Sequence, residues 1–227
     1  MFGGGPGGGS LSSQYGRLLN APTVQKELQL TEDQIAKIKE MGEKSQAAMR
    51  EMFSGMRDMR EMSDAERQAR MKESGTKMQA LQEATKKAIE GVLSPPQLER
   101  LKGIALQSMG VQALYDKQVQ QDLKLEEYQA AAIRVIRERS GKKTRELFAG
   151  GGDPKTFGEK TQEIGKEAEK QIMEVLTSEQ RDLLEKMKGA KLEIPPSEMF
   201  RGFGGPGGMG RPGGSGGPGG GRRREEK

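Results

Sequence analysis

Between residues 21 and 194 the chain reads as a succession of helix signals, with few Gly or Pro to interrupt them. The strongest of these are capping boxes. Thr31 is a good N-cap and Gln34 stands three residues later, while Leu30 and Ile35 flank the cap as a hydrophobic staple. The same grammar recurs at Leu93-Ser94-Pro95-Pro96-Gln97, with Pro at the first helical position, and at Leu176-Thr177-Ser178-Glu179-Gln180. Leu125-Glu126-Glu127-Tyr128-Gln129 is a degenerate copy, because Glu126 is a poorer cap than Thr or Ser. A further box, Ser63-Asp64-Ala65-Glu66, starts a return helix. These signals predict helices over 31–62, 64–92 and 95–108, then over 126–148, 154–175 and 178–189. Short helical turns are expected near 22–28 and 111–122, and a turn at Gly150-Gly151-Gly152-Asp153-Pro154. The fold class is all-α, made of elongated helical hairpins with coiled-coil-like seams.

An internal repeat organises these elements. Val24–Ile38 aligns without gaps on Val119–Ile133 at a shift of 95, with Val24/Val119, Gln25/Gln120, Leu28/Leu123, Leu30/Leu125, Glu32/Glu127, Gln34/Gln129, Ala36/Ala131 and Ile38/Ile133 identical. Ile89, Val92, Leu93, Gln97 and Leu101 return as Ile172, Val175, Leu176, Gln180 and Leu184 at a shift of 83, so the second hairpin is shorter. Four segments follow: a Gly-rich flexible stretch over 1–20, unit one over 21–110, unit two over 111–194, and a disordered Gly/Pro/Arg tail over 195–227.

Composition narrows the function classes. Of the 227 residues 31% are charged and only 4% aromatic, with a mean hydropathy of −0.80. Such a chain cannot fill a thick core, and deep-pocket α/β enzymes are disfavoured. The net charge of +5 belongs to the ends, since residues 201–227 set six cations against two anions while residues 21–200 balance. The basic pI therefore says little about nucleic-acid binding by the helical body. Cys and His are absent, which removes disulfides, thiolate or imidazole metal sites and His-dependent triads. No nucleophile elbow, phosphate loop or metal motif occurs, so the reading is of a non-enzyme without a cofactor. No apolar run is long enough to span a membrane, and MFGGGPGGGS has neither the charged nor the apolar region of a signal peptide.

The candidate working surface is a methionine stripe. Met49, Met52, Met56 and Met59 step by three, four and three along one helix face, with Phe53, Arg57, Arg60 and Met62 among them. Three readings fit it: a hairpin seam packing on Met71, Met78 and Leu81; an adaptable client-binding surface; or a thioether site for Cu(I) or Ag(I), as sensor or buffer. Arg134, Arg137, Arg139, Lys142, Lys143 and Arg145 form a basic run that reads first as a solvated face with i,i+4 partners such as Glu138–Lys142. The tail pieces Arg201-Gly202-Phe203, Arg211-Pro212-Gly213 and Arg222-Arg223-Arg224 have the composition of RNA-associated Arg/Gly segments, but hold a single aromatic residue.

The four boxes Leu30–Gln34, Leu93–Gln97, Leu125–Gln129 and Leu176–Gln180 resemble the LTxxQ motifs of the Spy/CpxP family of bacterial envelope proteins. The resemblance implies a tandem duplication, one chain holding as a pseudo-dimer what relatives build from two subunits. It further implies an ATP-independent chaperone or envelope-stress factor whose partners are unfolded or partly folded proteins. Self-association is a further expectation, and the neutral body and sparse tail arginines disfavour nucleic acid. The implied location is the periplasm, given an upstream signal segment, and otherwise the cytoplasm.

Overall fold

The structure, a computed structural model, describes residues 11–54, 62–149 and 154–199. Every regular element among these is helical: α1 (Leu11–Leu18), α2 (Pro22–Glu27), α3 (Glu32–Ser54), α4 (Asp64–Val92), α5 (Pro95–Met109), a 3₁₀ turn (Gly110–Tyr115), α6 (Lys117–Asp122), α7 (Glu127–Ala149), α8 (Pro154–Val175), α9 (Ser178–Lys188) and α10 (Pro196–Met199). α3 packs along α4 and α7 along α8, giving two hairpins. Arms of this length extend roughly 35 Å at 1.5 Å per residue.

The two halves are built to one plan. α2 and α6 have six residues each, α3 and α7 have 23 each, and both pairs lie 95 positions apart. Past the hairpin turns the offset is 83, shared by the ends of α4 and α8 and the starts of α5 and α9. Local chemistry repeats too. Gln29 and Lys124 take φ of 50° and 51°, and the N–H groups of Leu30 and Leu125 reach back to the carbonyls of Gln25 and Gln120 at 3.0 and 2.9 Å. This is a Schellman closure made with residues other than glycine. Gln25 Nε2 donates to Leu19 O at 2.7 Å, and Gln120 Nε2 to Leu114 O at 2.8 Å.

The core lies at the base of the hairpins and not along the arms. α1 rests on α4 and α5, and α5 rests on α9. Leu18, Leu19, Leu101, Ile104, Leu106, Leu114 and Leu184 are buried there, joined by Ile38, Ile89, Ile133 and Ile172 from the basal turns of the arms. The α5–α9 approach depends on Gly103, where a Cβ would stand 2.7 Å from the Lys188 carbonyl oxygen and 2.9 Å from that of Met187.

The structure departs from the sequence expectation at both ends. Residues 11–20, expected in a flexible stretch, include α1. Its Leu11, Tyr15 and Leu18, spaced by four and three, are buried together with Leu19. Asp116 Oδ2 accepts from the Leu11 N–H at 2.8 Å, which holds the helix start in place. Residues 195–199, expected in the disordered tail, include α10, and Glu198 binds back to Thr23. Residues 1–10 and 200–227 lie outside the described residues.

Candidate functional site

The motif glutamines meet in pairs at the hairpin bases. At its own helix start, Gln34 Oε1 accepts from the Thr31 N–H at 3.1 Å while Thr31 Oγ1 accepts from the Gln34 N–H at 3.2 Å. Its Nε2 turns outward, donating to Val92 O at 2.8 Å and Gln97 Oε1 at 2.9 Å. Gln97 answers in kind. Its Oε1 accepts from the Ser94 N–H at 2.9 Å, and its Nε2 donates to Leu28 O at 3.0 Å and to Gln34 Oε1 at 3.2 Å. One amide pair thereby fastens the ends of α2 and α4 to the starts of α3 and α5. Backbone groups left without partners at four helix termini are satisfied in one place.

The second half repeats the arrangement. Gln129 Oε1 accepts from the Glu126 N–H at 2.9 Å, and its Nε2 donates to Val175 O at 2.8 Å and Gln180 Oε1 at 2.7 Å. Gln180 closes its own box with Thr177 and donates to Gln129 Oε1 at 3.0 Å. Leu30, Leu93, Leu125 and Leu176, the residues preceding each cap, are buried or pack on the core. A capping box alone accepts Glu or Gln at its third helical position. Ser63–Glu66 at the start of α4 is such a box, and among the described residues the Glu66 side chain bonds to Ser63 alone. The paired boxes need Gln, because only an amide both accepts at its own helix start and donates to the facing one. Capping grammar predicts the local half of this arrangement. The cross-pairing, between positions 63 and 51 residues apart, has no local signature.

Along the arms the apolar candidates are less enclosed. Met49 is 38% exposed on α3. Met52 lines an open groove of about 490 Å³ between α3 and α4, with Ala48, Leu81, Arg70, Glu73 and Lys77 around it. Met62 and Met78 are half-buried, whereas Met71 is 61% exposed and does not seal a seam. The Phe53 side chain and Met56, Arg57, Met59 and Arg60 lie outside the described residues, as does the second half of the stripe they form.

The second arm differs. Phe148, 95 positions after Phe53, is 62% exposed although its ring lies 3.8 Å from that of Phe157, centroid to centroid. Of the basic run, Arg137 sits over the Tyr115 ring at 4.6 Å, and Lys142 pairs with Glu146 at 3.7 Å instead of with Glu138. At the base, Lys102 and Arg100 of α5 bind Asp122 and Glu27, which occupy equivalent places in α6 and α2. Burial alone would raise the Asp122 carboxyl; hydrogen bonds from Lys102 and Gln118, with the Lys102 charge, lower it instead. Among the described residues no group of three or more Asp or Glu is placed to hold a metal, and no helix is long and apolar enough to cross a membrane.

No curated protein and no solved structure matches the chain. A family model described as LTXXQ motif family protein matches residues 19–105. That span holds the boxes Leu30–Gln34 and Leu93–Gln97 and therefore one complete amide pair. Over residues 19–105 the chain is similar to the LTXXQ motif family.

Proposed function

We propose that the chain is a Spy/CpxP-like, ATP-independent chaperone or envelope-stress binding protein, exported to the periplasm, that holds partly unfolded clients on its helical arms. It binds without catalysing a reaction. Two LTXXQ units, residues 21–110 and 111–194, stand in one chain for the two subunits of a dimer. The division is supported by the repeated amide pairs and by the shared 95- and 83-residue offsets. The observation that carries the binding role is the first arm, where Met49 is exposed and Met52 lines an open groove with a mixed-charge rim. Methionine re-packs against partners of varied shape, and weak, reversible burial of a client's apolar segment needs such a surface. The proposed contact residues are Met49, Met52, Phe53, Met56, Arg57, Met59, Arg60 and Met62, the arginines steering acidic segments towards the methionines.

Light scattering by a chemically denatured client diluted into buffer tests this. Wild type is expected to suppress aggregation at near-stoichiometric ratios, and a Met52/Phe53/Met56→Ser variant to lose most of that effect while keeping its helical circular dichroism. An inert wild type, or a fully active variant, overturns the reading.

A further inference from the structure

The chain does not stop at its last repeated helix. After α9, Gly189 turns with φ of 65°, and the side chain of Gln107 on α5 gathers the departing backbone. Its Nε2 donates to Lys188 O at 2.7 Å and Ala190 O at 2.8 Å, and its Oε1 accepts from the Leu192 N–H at 2.9 Å. Leu192 and Ile194 pack on the core. The segment then reaches the far end of the sequence, where Glu198 accepts from the Thr23 N–H at 2.9 Å and from Thr23 Oγ1 at 3.1 Å.

Comparison with the second half explains the last contact. α6 is capped by its own Asp116, whose Oδ1 accepts from the Gln118 N–H at 2.8 Å. The equivalent residue before α2 is Ala21, in the same extended conformation but with no side-chain oxygen. Thr23 is the counterpart of Gln118, 95 positions earlier, and its amide is the one that Glu198 takes up. A carboxylate 175 residues away in the chain thus fills the place of a missing local cap.

We propose that residues 189–199 are an intramolecular strap that locks the end of the second half onto the first, with Gln107 as its anchor and Glu198 as its catch. The strap adds a contact between the halves that neither hairpin supplies. It makes the integrity of α2 depend on the far end of the chain.

Amide hydrogen exchange on the full chain tests this, with α6 as internal reference. Glu198→Ala is expected to speed exchange at the Thr23 amide roughly tenfold, the usual effect of losing a cap, and to leave Gln118 unchanged. Ala21→Ser restores a local cap with one added oxygen, and in the double variant Thr23 protection is expected to return. Gln107→Ala, which releases the strap at its other end, is expected to speed Thr23 exchange in the same direction. Unchanged Thr23 exchange in Glu198→Ala overturns the proposal. So does equal acceleration at Thr23 and Gln118, or failure of Ala21→Ser to rescue.

Discussion

At the base of the first hairpin Gln34 and Gln97 hold each other at 2.9 Å, and at the base of the second Gln129 and Gln180 do so at 2.7 Å. Farther out the likeness ends. The outer face of α3 carries Asp33, Lys37, Glu40 and Lys44, closed into two ion pairs at 2.7 Å. The equivalent positions of α7 are Tyr128, Ala132, Val135 and Arg139, of which Tyr128 is 69% exposed. Solvent-facing positions of a helix carry little packing constraint, so they diverge freely. Termini joined by one amide pair do not have that freedom, because each amide satisfies several backbone groups at once. The base is therefore where the two halves remain one design, and the arms are where their work can differ.

The largest predicted effect tests the shared base. Gly103→Val places side-chain atoms against the backbone oxygens of Met187 and Lys188, and a loss of about 1–3 kcal/mol is expected in thermal unfolding. Gly91→Ala, at a helical position where nothing lies within 4 Å, is expected to stabilise by about 0.5–1 kcal/mol. If both cost the same, close α5–α9 packing is not what holds the base.

Exchanging amide for carboxylate probes the clasp itself. Gln129→Glu keeps the acceptor for the Glu126 N–H but removes the donors to Val175 O and Gln180 Oε1. Gln129 is 1% exposed, so a cost of about 1–3 kcal/mol is expected in urea unfolding. Gln34→Glu, in the less enclosed first clasp, is expected to cost less. Glu66→Gln in the lone Ser63 box should be close to neutral. Equal tolerance in all three would reduce the motif to simple capping.

A smaller change would bring the halves closer together. Glu126→Thr gives α7 the cap that Thr31 gives α3, with an expected gain of about 0.5–1 kcal/mol. The alkaline limb of stability reports on α1. Tyr15 is raised above its ordinary 10.0 by burial, with Asp116, Glu90 and Asp122 adding to the shift. The folded state thus prefers the neutral phenol. The contribution is full below pH 10 and declines as pH rises towards the folded value. Tyr15→Phe is expected to flatten that decline in melts taken between pH 9 and 11.

Much of this architecture was legible in the sequence, because helix starts are local chemistry. Thr31, Ser63, Ser94 and Thr177 each precede the observed helix by one residue, and the repeat placed α7 and α9 where they stand. The cross-clasp was not legible, since a capping box accounts for its own glutamine without a second one. α1 was hidden by its Gly- and Ser-rich surroundings, although Leu11, Tyr15 and Leu18 carry the helical spacing of a buried face. Glu198 was obscured by the preceding prolines, and only the contrast between Ala21 and Asp116 reveals what it replaces. Of the stripe from Met49 to Met62, the order of the residues was legible, but the groove beside Met52 required knowing where α4 returns.

The proposed function gives two arms on a shared base separate tasks, with client holding on the first. The most direct measurement compares two full-length variants in the aggregation assay at equal helicity: Met49→Ser/Met52→Ser on the first arm and Val135→Ser/Phe148→Ser on the second. The first variant is expected to lose most of the suppression and the second to retain it. Retained activity in the first with loss in the second would contradict the claim.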